Sequence, residues 1–247
     1  MPKLSAADFS HLKAAILENN TIDEAIYADF DVKRGLRNKD GSGVIAGLTR
    51  ISSVIGARQI DGMVERVEGV LKYRGIDIFD VMSRYQDDTR YCFESVIFLL
   101  LVGRYPNAAE QEELTLFISQ QRTLPKEILA HVIQGIPSKD VMNKLQTAVA
   151  ALYAFDETAD SNDPYENFLK AVSLTAKFPS IIAYSYLSAF KPGAKFVEPS
   201  SDMSLAEGFL TMLYEGKPPS KEEAHILDLC LVLPSGCLTS RSTSCAA

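Results

Sequence analysis

Phe93-Glu94-Ser95-Val96-Ile97-Phe98-Leu99-Leu100-Leu101-Val102-Gly103-Arg104-Tyr105-Pro106 is the stretch whose reading decides the fold class. Phe93, Val96, Ile97, Leu100 and Leu101 recur with the 3.6-residue rhythm of a helix that buries one stripe. Gly103 and Pro106 then stop it, as glycine and proline do just past a helix end. Downstream the same rhythm repeats. Asn107 and the acids behind it open a helix through Phe117, and Pro125 sits where a first helical turn tolerates proline. Ser138 is placed to cap a segment with Val141, Leu145, Val149, Leu152 and Tyr153 on one face. Pro164 opens a long apolar helix that reaches Phe190, with Pro179 expected to bend it. Between them Asp156, Glu157, Asp160 and Asp163 mark a solvated link. Ser204-Leu-Ala-Glu207 and Ser220-Lys-Glu-Glu223 both carry the spacing of a capping box. The second opens a helix expected to turn Ala224, Leu227 and Leu231 inward.

Upstream the texture changes. A helical rhythm through Phe9, Leu12, Ala15 and Ile16 covers residues 6–18. From residue 33 to 78 glycine is frequent and Val, Ile and Thr fill the gaps, which predicts short strands at 43–54 and 67–73 with Asp61-Gly62 as a turn. The chain is therefore expected to be mainly α, with a small antiparallel β element near residues 43–78. At the other end Pro234 stops the last helix, because proline lacks the amide donor and disfavours helix before it. Residues 234–247 contain no acid and no apolar period, so a disordered tail is expected after a folded portion spanning 1–233.

Composition narrows the function classes. No apolar run, the one at residues 96–102 included, comes near the ~20 residues needed to span a bilayer. The first residues match neither a secretory signal nor an Arg-rich transit peptide, so a cytoplasmic protein is expected. A net charge of −7 with scattered Lys and Arg disfavours nucleic acid as partner. Cys92, Cys230, Cys237 and Cys245 form no Cys-x-x-Cys pair, which disfavours a structural metal. Cys92 and Cys230 fall in helical patterns as expected core residues, and Cys237 and Cys245 as exposed, oxidisable thiols.

Two segments carry a resemblance. Gly43-Val-Ile-Ala-Gly-Leu-Thr-Arg-Ile-Ser52, followed by Glu68-Gly-Val-Leu-Lys-Tyr-Arg-Gly-Ile-Asp-Ile78, resembles the opening signature of citrate synthases. Matches follow in order at residues 93–106, at Met142-Asn-Lys-Leu-Gln-Thr-Ala-Val-Ala-Ala-Leu152, at Ala176-Lys-Phe-Pro-Ser-Ile-Ile-Ala-Tyr184, at 204–213 and at 222–233. Residues 31–43 resemble the Gram-positive bacterial branch. The resemblance implies the N-terminal part of an all-helical large domain in a homodimer. It implies condensation of acetyl-CoA with oxaloacetate to citrate and CoA, at entry to the tricarboxylic acid cycle, with no metal and no cofactor beyond the acyl-CoA substrate. Family chemistry uses an Asp base and a His that donates to the forming enolate oxygen. A 2-methylcitrate synthase-type acyltransferase is the alternative within the family. A non-catalytic dimerising fragment, able to pair with a full-length chain, is the alternative outside catalysis.

In the family the final Leu-x-Leu runs directly into His-x-Asp-His, whose first histidine is catalytic. Here Leu231-Val232-Leu233 meets Pro234-Ser235-Gly236 instead. The chain therefore reads as truncated before the catalytic His, His and Asp, in the way a shifted reading frame or a gene-model error would produce, and as inactive alone. His11 and His131 are expected to be surface or satisfied positions, and His225 lies about nine residues short of the expected catalytic site. Glu207 is the substrate-binding candidate, because its segment borders the oxaloacetate pocket in the family; helix capping is its simpler role. The family often has Asn where this chain has Gly208. Arg37, Arg50 and Arg74 are candidates for CoA phosphates, with a structural contact the simpler role for Arg74. Leu227, Leu231, Val141 and Val149 would lie partly bare without later helices. At ~25 cal/mol per Å2 that exposure predicts a sticky, marginally stable polypeptide.

Overall fold

A computed structural model gives the fold and describes residues 9–23, 25–26, 49–60, 63–85 and 92–236. In chain order, a 3-10 turn, Phe9–Leu12, leads into α1, Lys13–Asn20. Strands β1, Ser52–Ile60, β2, Met63–Tyr73, and β3, Ile76–Asp77, are followed by α2, Ile78–Ser83, and α3, Cys92–Val102. Then come α4, Ala108–Gln121, a π-helical segment, Ile128–Gln134, and α5, Val141–Leu152. The last are α6, Pro164–Phe190, α7, Leu205–Leu213, and α8, Lys221–Val232. The chain divides into two compact units, residues 1–13 with 106–228, and residues 14–105 with 229–247.

The first unit is helical, and α6 is its spine. Asp163 starts this 27-residue helix by accepting the amides of Tyr165 and Glu166, with Pro164 in the first turn where no amide donor is missed. The helix continues through Pro179 and packs against α4, α5, α7 and the π-helical segment. Ile181, Tyr184 and Leu187 meet Ile128, Ile133, Leu152 and Met212 in one core. Phe9 sets its ring edge-on against Phe117 and Phe168, with centroids 5.6 and 5.5 Å away. Tyr184 stacks on Phe196 at 4.9 Å and donates to the Val197 carbonyl, and burial pushes its phenol up to about 12.

Several helix starts differ from the sequence reading. Asp140, not Ser138, caps α5: its carboxylate accepts the Asn143 amide at 2.9 Å, while Ser138 accepts the Asp140 amide one step earlier. The segment after Pro125 is a π-helix, with Ile128 and Ile133 buried and the exposed His131 between them. The acidic link at 156–163 is not simply solvated. The Lys170 ammonium donates to the carbonyls of Thr158, Ala159 and Ser161 at 3.0, 3.2 and 2.8 Å, tying the loop to α6.

The second unit is built on an antiparallel sheet of order β1-β2-β3. Both strands reach beyond the expected ranges, β1 past residue 54 to Ile60 and β2 back from residue 67 to Met63, and pairing runs from Ser52 with Tyr73 to Ile60 with Met63, with a register slip between Ile55 and Ala57. Residues 43–48, the Asp61-Gly62 turn signal and residues 6–8 lie outside the described residues. Asp77 caps α2, which the sequence reading missed, by accepting the Phe79 amide at 3.0 Å. α3 is not a one-stripe helix: Cys92, Glu94, Ser95, Val96, Ile97, Phe98, Leu99 and Val102 are all buried, the pattern of a helix enclosed on most sides. Tyr73, Ile78, Val81, Cys92, Val96, Leu99 and Val232 form this unit's core. In α8 the buried residues are Ala224, Asp228 and Val232, four apart, with Leu227 and Leu231 half-buried beside them. Cys230 falls on the opposite side of that stripe and is exposed, which corrects its expected core position.

A two-residue turn, Arg74-Gly75, joins β2 to β3, with both φ angles positive at 49° and 82°. Arginine in this conformation costs about 1 kcal/mol or more. The cost is offset because the turn aims its guanidinium at the end of α3. Nε donates to the Leu100 carbonyl at 3.1 Å, Nη1 to the Asn19 carbonyl at 2.8 Å and Nη2 to Asn20 Oδ1 at 2.9 Å. Asn19 and Asn20 in turn donate to the carbonyls of Val102 and Leu101, both at 3.1 Å. The last carbonyls of α3, which have no partner within the helix, are thereby satisfied. Gly103, at φ 92°, leaves room for this: a Cβ there would sit 2.6 Å from Asn19 Cγ. Replacing Arg74 by glycine relieves the backbone strain yet removes the donors. We therefore expect Arg74→Gly to lower unfolding stability by about 1–3 kcal/mol in urea titration; an unchanged or higher midpoint would show that the turn strain outweighs the cap.

Candidate functional site

Glu207 lies in the first turn of α7, and its local geometry follows from the Ser-x-x-Glu spacing. Its Oε2 accepts the Ser204 amide at 2.8 Å, while Ser204 Oγ accepts the Glu207 amide at 3.2 Å. The carboxylate is half-buried and one oxygen is engaged in the cap. Ser220 and Glu223 repeat the device on α8, with the same two distances of 2.8 and 3.2 Å. Glu223 also accepts from the Tyr214 hydroxyl, and the Ser220 amide together with this phenol holds its carboxyl below the usual range. A third box, Asn107 with Glu110, opens α4 at the start expected from the sequence.

Beside Glu207 stands a residue that the sequence did not single out. Arg122 follows α4 and is almost fully buried; its Nη2 donates to the Met203 carbonyl at 2.8 Å, and its own carbonyl accepts from Ser180 Oγ at 2.8 Å. A Cβ at Gly208 would lie 2.6 Å from Arg122 Nη1 and 3.2 Å from Pro199 Cγ. Gly208 is thus the position that lets the guanidinium approach α7. The space bounded by Arg122, Pro179, Gly208 and Phe209 has no room for a water molecule. An open groove of about 570 Å3 lies elsewhere in the same unit, along Lys13, Thr158, Ser161, Asp163 and Tyr165, with the Lys13 ammonium 5.0 Å from the Tyr165 ring centre.

The three histidines sit on three separate elements. His11, on the 3-10 turn, places Nε2 3.5 Å from Glu110 Oε1, the carboxylate that caps α4 through its other oxygen. His131 is exposed on the π-helical segment, and His225, half-buried in α8, has its Nδ1 enclosed without a hydrogen-bond partner. Among the described residues no group of three or more His, Cys, Asp or Glu could hold a metal ion. Arg50 is exposed, Arg74 serves the α3 terminus, and Arg37 lies outside the described residues.

A family profile described as citrate synthase, C-terminal domain, matches residues 39–244, well over half of the chain. The chain belongs to the citrate synthase family. It is 32% identical over 192 residues to citrate synthase 2 of Bacillus subtilis, covering 77% of this chain and 46% of the relative. It is 30% identical over 194 residues to the citrate/2-methylcitrate synthase of the same organism, covering 78% and 47%. Among solved structures, the citrate synthase of Pyrobaculum aerophilum superposes with a TM-score of 0.65 at 27% identity, covering 86% of this chain and 51% of that one. The chain spans about half the length of these relatives. The family match continues past Leu233 into residues that the sequence reading had set apart as a tail.

The citrate synthase motif at Ala176-Lys-Phe-Pro179 holds a further buried group. Lys177 is almost fully buried, donating to Ser173 Oγ at 2.7 Å and Gln121 Oε1 at 3.3 Å. Burial lowers its amine from 10.5 to about 8, with Asp156 pulling the other way. The unfolded chain then holds this proton up to about 10.5, whereas the folded chain releases it near 8. Between those values the unfolded state binds more protons, so stability rises with pH. We expect the unfolding midpoint of the wild type to rise relative to Lys177→Met between pH 8 and pH 10, the range below phenol ionisation. Parallel pH profiles of the two proteins would contradict this assignment.

Proposed function

We propose that these residues form part of a citrate synthase-type acyltransferase, and that the 247-residue polypeptide alone does not convert acetyl-CoA and oxaloacetate to citrate. The observation that carries the second half is the placement of its histidines. Forming a carbon–carbon bond at the methyl of a thioester requires a base at that carbon and a donor at the enolate oxygen, both aimed at one bound substrate. Among the described residues, the imidazole of His11 pairs with the carboxylate of Glu110, which is engaged at the start of α4. His131 and His225 lie on other elements, and no His-x-Asp-His occurs in the sequence. Glu207 is proposed to border the oxaloacetate site, with the capping box as the device that fixes it. No cofactor beyond the acyl-CoA substrate is invoked, and a cytoplasmic protein is proposed.

The likeness to the citrate/2-methylcitrate synthase of B. subtilis supports a second acyl specificity, in which propionyl-CoA replaces acetyl-CoA. Pairing between chains, as a homodimer or with a full-length relative, is supported by α6. Phe178, Tyr186 and Phe190 keep 36%, 41% and 46% of their surface exposed at multiples of four residues, an apolar stripe that water covers poorly. Purified 247-residue protein, mixed with oxaloacetate and either acyl-CoA in a thiol-release assay, is expected to give no CoA above the protein-free rate. Release that scales with its concentration, and survives removal of host enzyme, would overturn the inactive reading.

A further inference from the structure

The end of α8 does not trail off at Pro234. Ser235 Oγ donates to the Leu231 carbonyl at 2.7 Å, and the Ser235 amide to the Val232 carbonyl at 3.2 Å, so the chain turns back on the helix. This turn meets Ser52 and Tyr73, which face each other across β1 and β2. The Tyr73 hydroxyl lies 2.7 Å from both the Val232 and Leu233 carbonyls, sharing its proton between them, and accepts the Gly236 amide at 3.2 Å. Ser52 Oγ donates to the Gly236 carbonyl at 2.8 Å. Tyr73 is wholly buried and Ser52 nearly so. A Cβ at residue 236 would stand 2.6 Å from Ser52 Cβ and 2.6 Å from Tyr73 Cε1, both far inside contact distance.

We propose that Ser52 and Tyr73 form a glycine-specific socket for this chain's own residues 232–236, and act as positioning residues that set the direction in which the backbone leaves α8. Three features make it a built site rather than a chance contact. Both hydroxyls come from directly paired strand residues, so the sheet fixes their spacing. They address both sides of one peptide segment, its amide through Tyr73 and its carbonyl through Ser52. The space between them admits backbone and excludes any side chain. Ordered capping of the last α8 carbonyls follows, since these have no partner within the helix. The socket also corrects the expected start of disorder: residues 234–236 belong to the folded unit.

What the socket serves rests on the family reading above; its existence does not. The family's His-x-Asp-His would put an Asp side chain at position 236, where this socket accepts none. Residues 234–236 are therefore seated here in a way that the family's active-site segment could not copy without displacing Tyr73 or Ser52.

Amide hydrogen exchange on the full 247-residue protein tests the socket directly. In wild type the Gly236 amide is expected to exchange at least tenfold more slowly than in an unstructured peptide. Tyr73→Phe, which keeps the ring and removes the acceptor, is expected to erase that protection while the β1–β2 amides keep theirs. Gly236→Ala is expected to erase protection at 235–236 without touching the strands, and it covers the case in which Tyr73→Phe fails to fold. Free-peptide exchange at Gly236 in wild type overturns the proposal, as does full protection in both variants. CoA release by a protein with a protected Gly236 would sink the inactive reading and leave the socket intact.

Discussion

A helix that ends inside a protein leaves its last carbonyls without partners, and a buried carbonyl without a donor costs as much as a lost hydrogen bond. The sheet-containing unit answers this constraint twice with consecutive residues. Tyr73, the last residue of β2, reaches the end of α8, and Arg74, the first residue of the turn, reaches the end of α3. Their directions differ because strand residues alternate faces and the Arg74-Gly75 turn reverses the chain. The Tyr-Arg-Gly of the family signature thus reads as a pair of helix caps. The strain at Arg74, the positive φ at Gly103 and the missing Cβ at Gly236 are all local concessions to those two caps.

The helical unit meets the same constraint at the opposite helix ends. Asn107, Asp140, Asp163 and Ser204 each accept first-turn amides, and Ser220 does so for α8. Its polar interior is concentrated along α6, where Lys177 and Ser180 tie that helix to Gln121 and Arg122 at the end of α4. Arg122 then fixes Met203, immediately before the Ser204–Glu207 cap. Glu207 is therefore held by a chain of hydrogen bonds that starts on α6.

Much of this was legible in the sequence because capping and apolar rhythm are local codes. The Ser204 and Ser220 boxes, the Pro164 start and the buried Phe9, Leu12 and Ile16 follow from spacing alone. Family membership followed from motif order, since the arrangement of several weak signatures carries more than any one. What stayed hidden depends on tertiary context. The near-complete burial of α3, the exposure of Cys230 and the inward position of Asp228 reflect which sides neighbours cover, and periodicity cannot rank those sides in a short apolar helix. Arg122 and the Ser52–Tyr73 socket join residues far apart in the chain, so no local pattern announces them. The Pro234 stop was read correctly as a helix end, but the turn after it gains its order from Tyr73, which lies in a strand.

The most direct measurement is residue-resolved hydrogen exchange of the double variant Tyr73→Phe/Arg74→Gly against wild type. If these two residues hold the helix ends, the amides of Gly103 and Leu233, which donate to the carbonyls of Leu99 and Leu229, lose protection together while α4 and α6 remain protected. Unchanged protection at both ends would contradict the account.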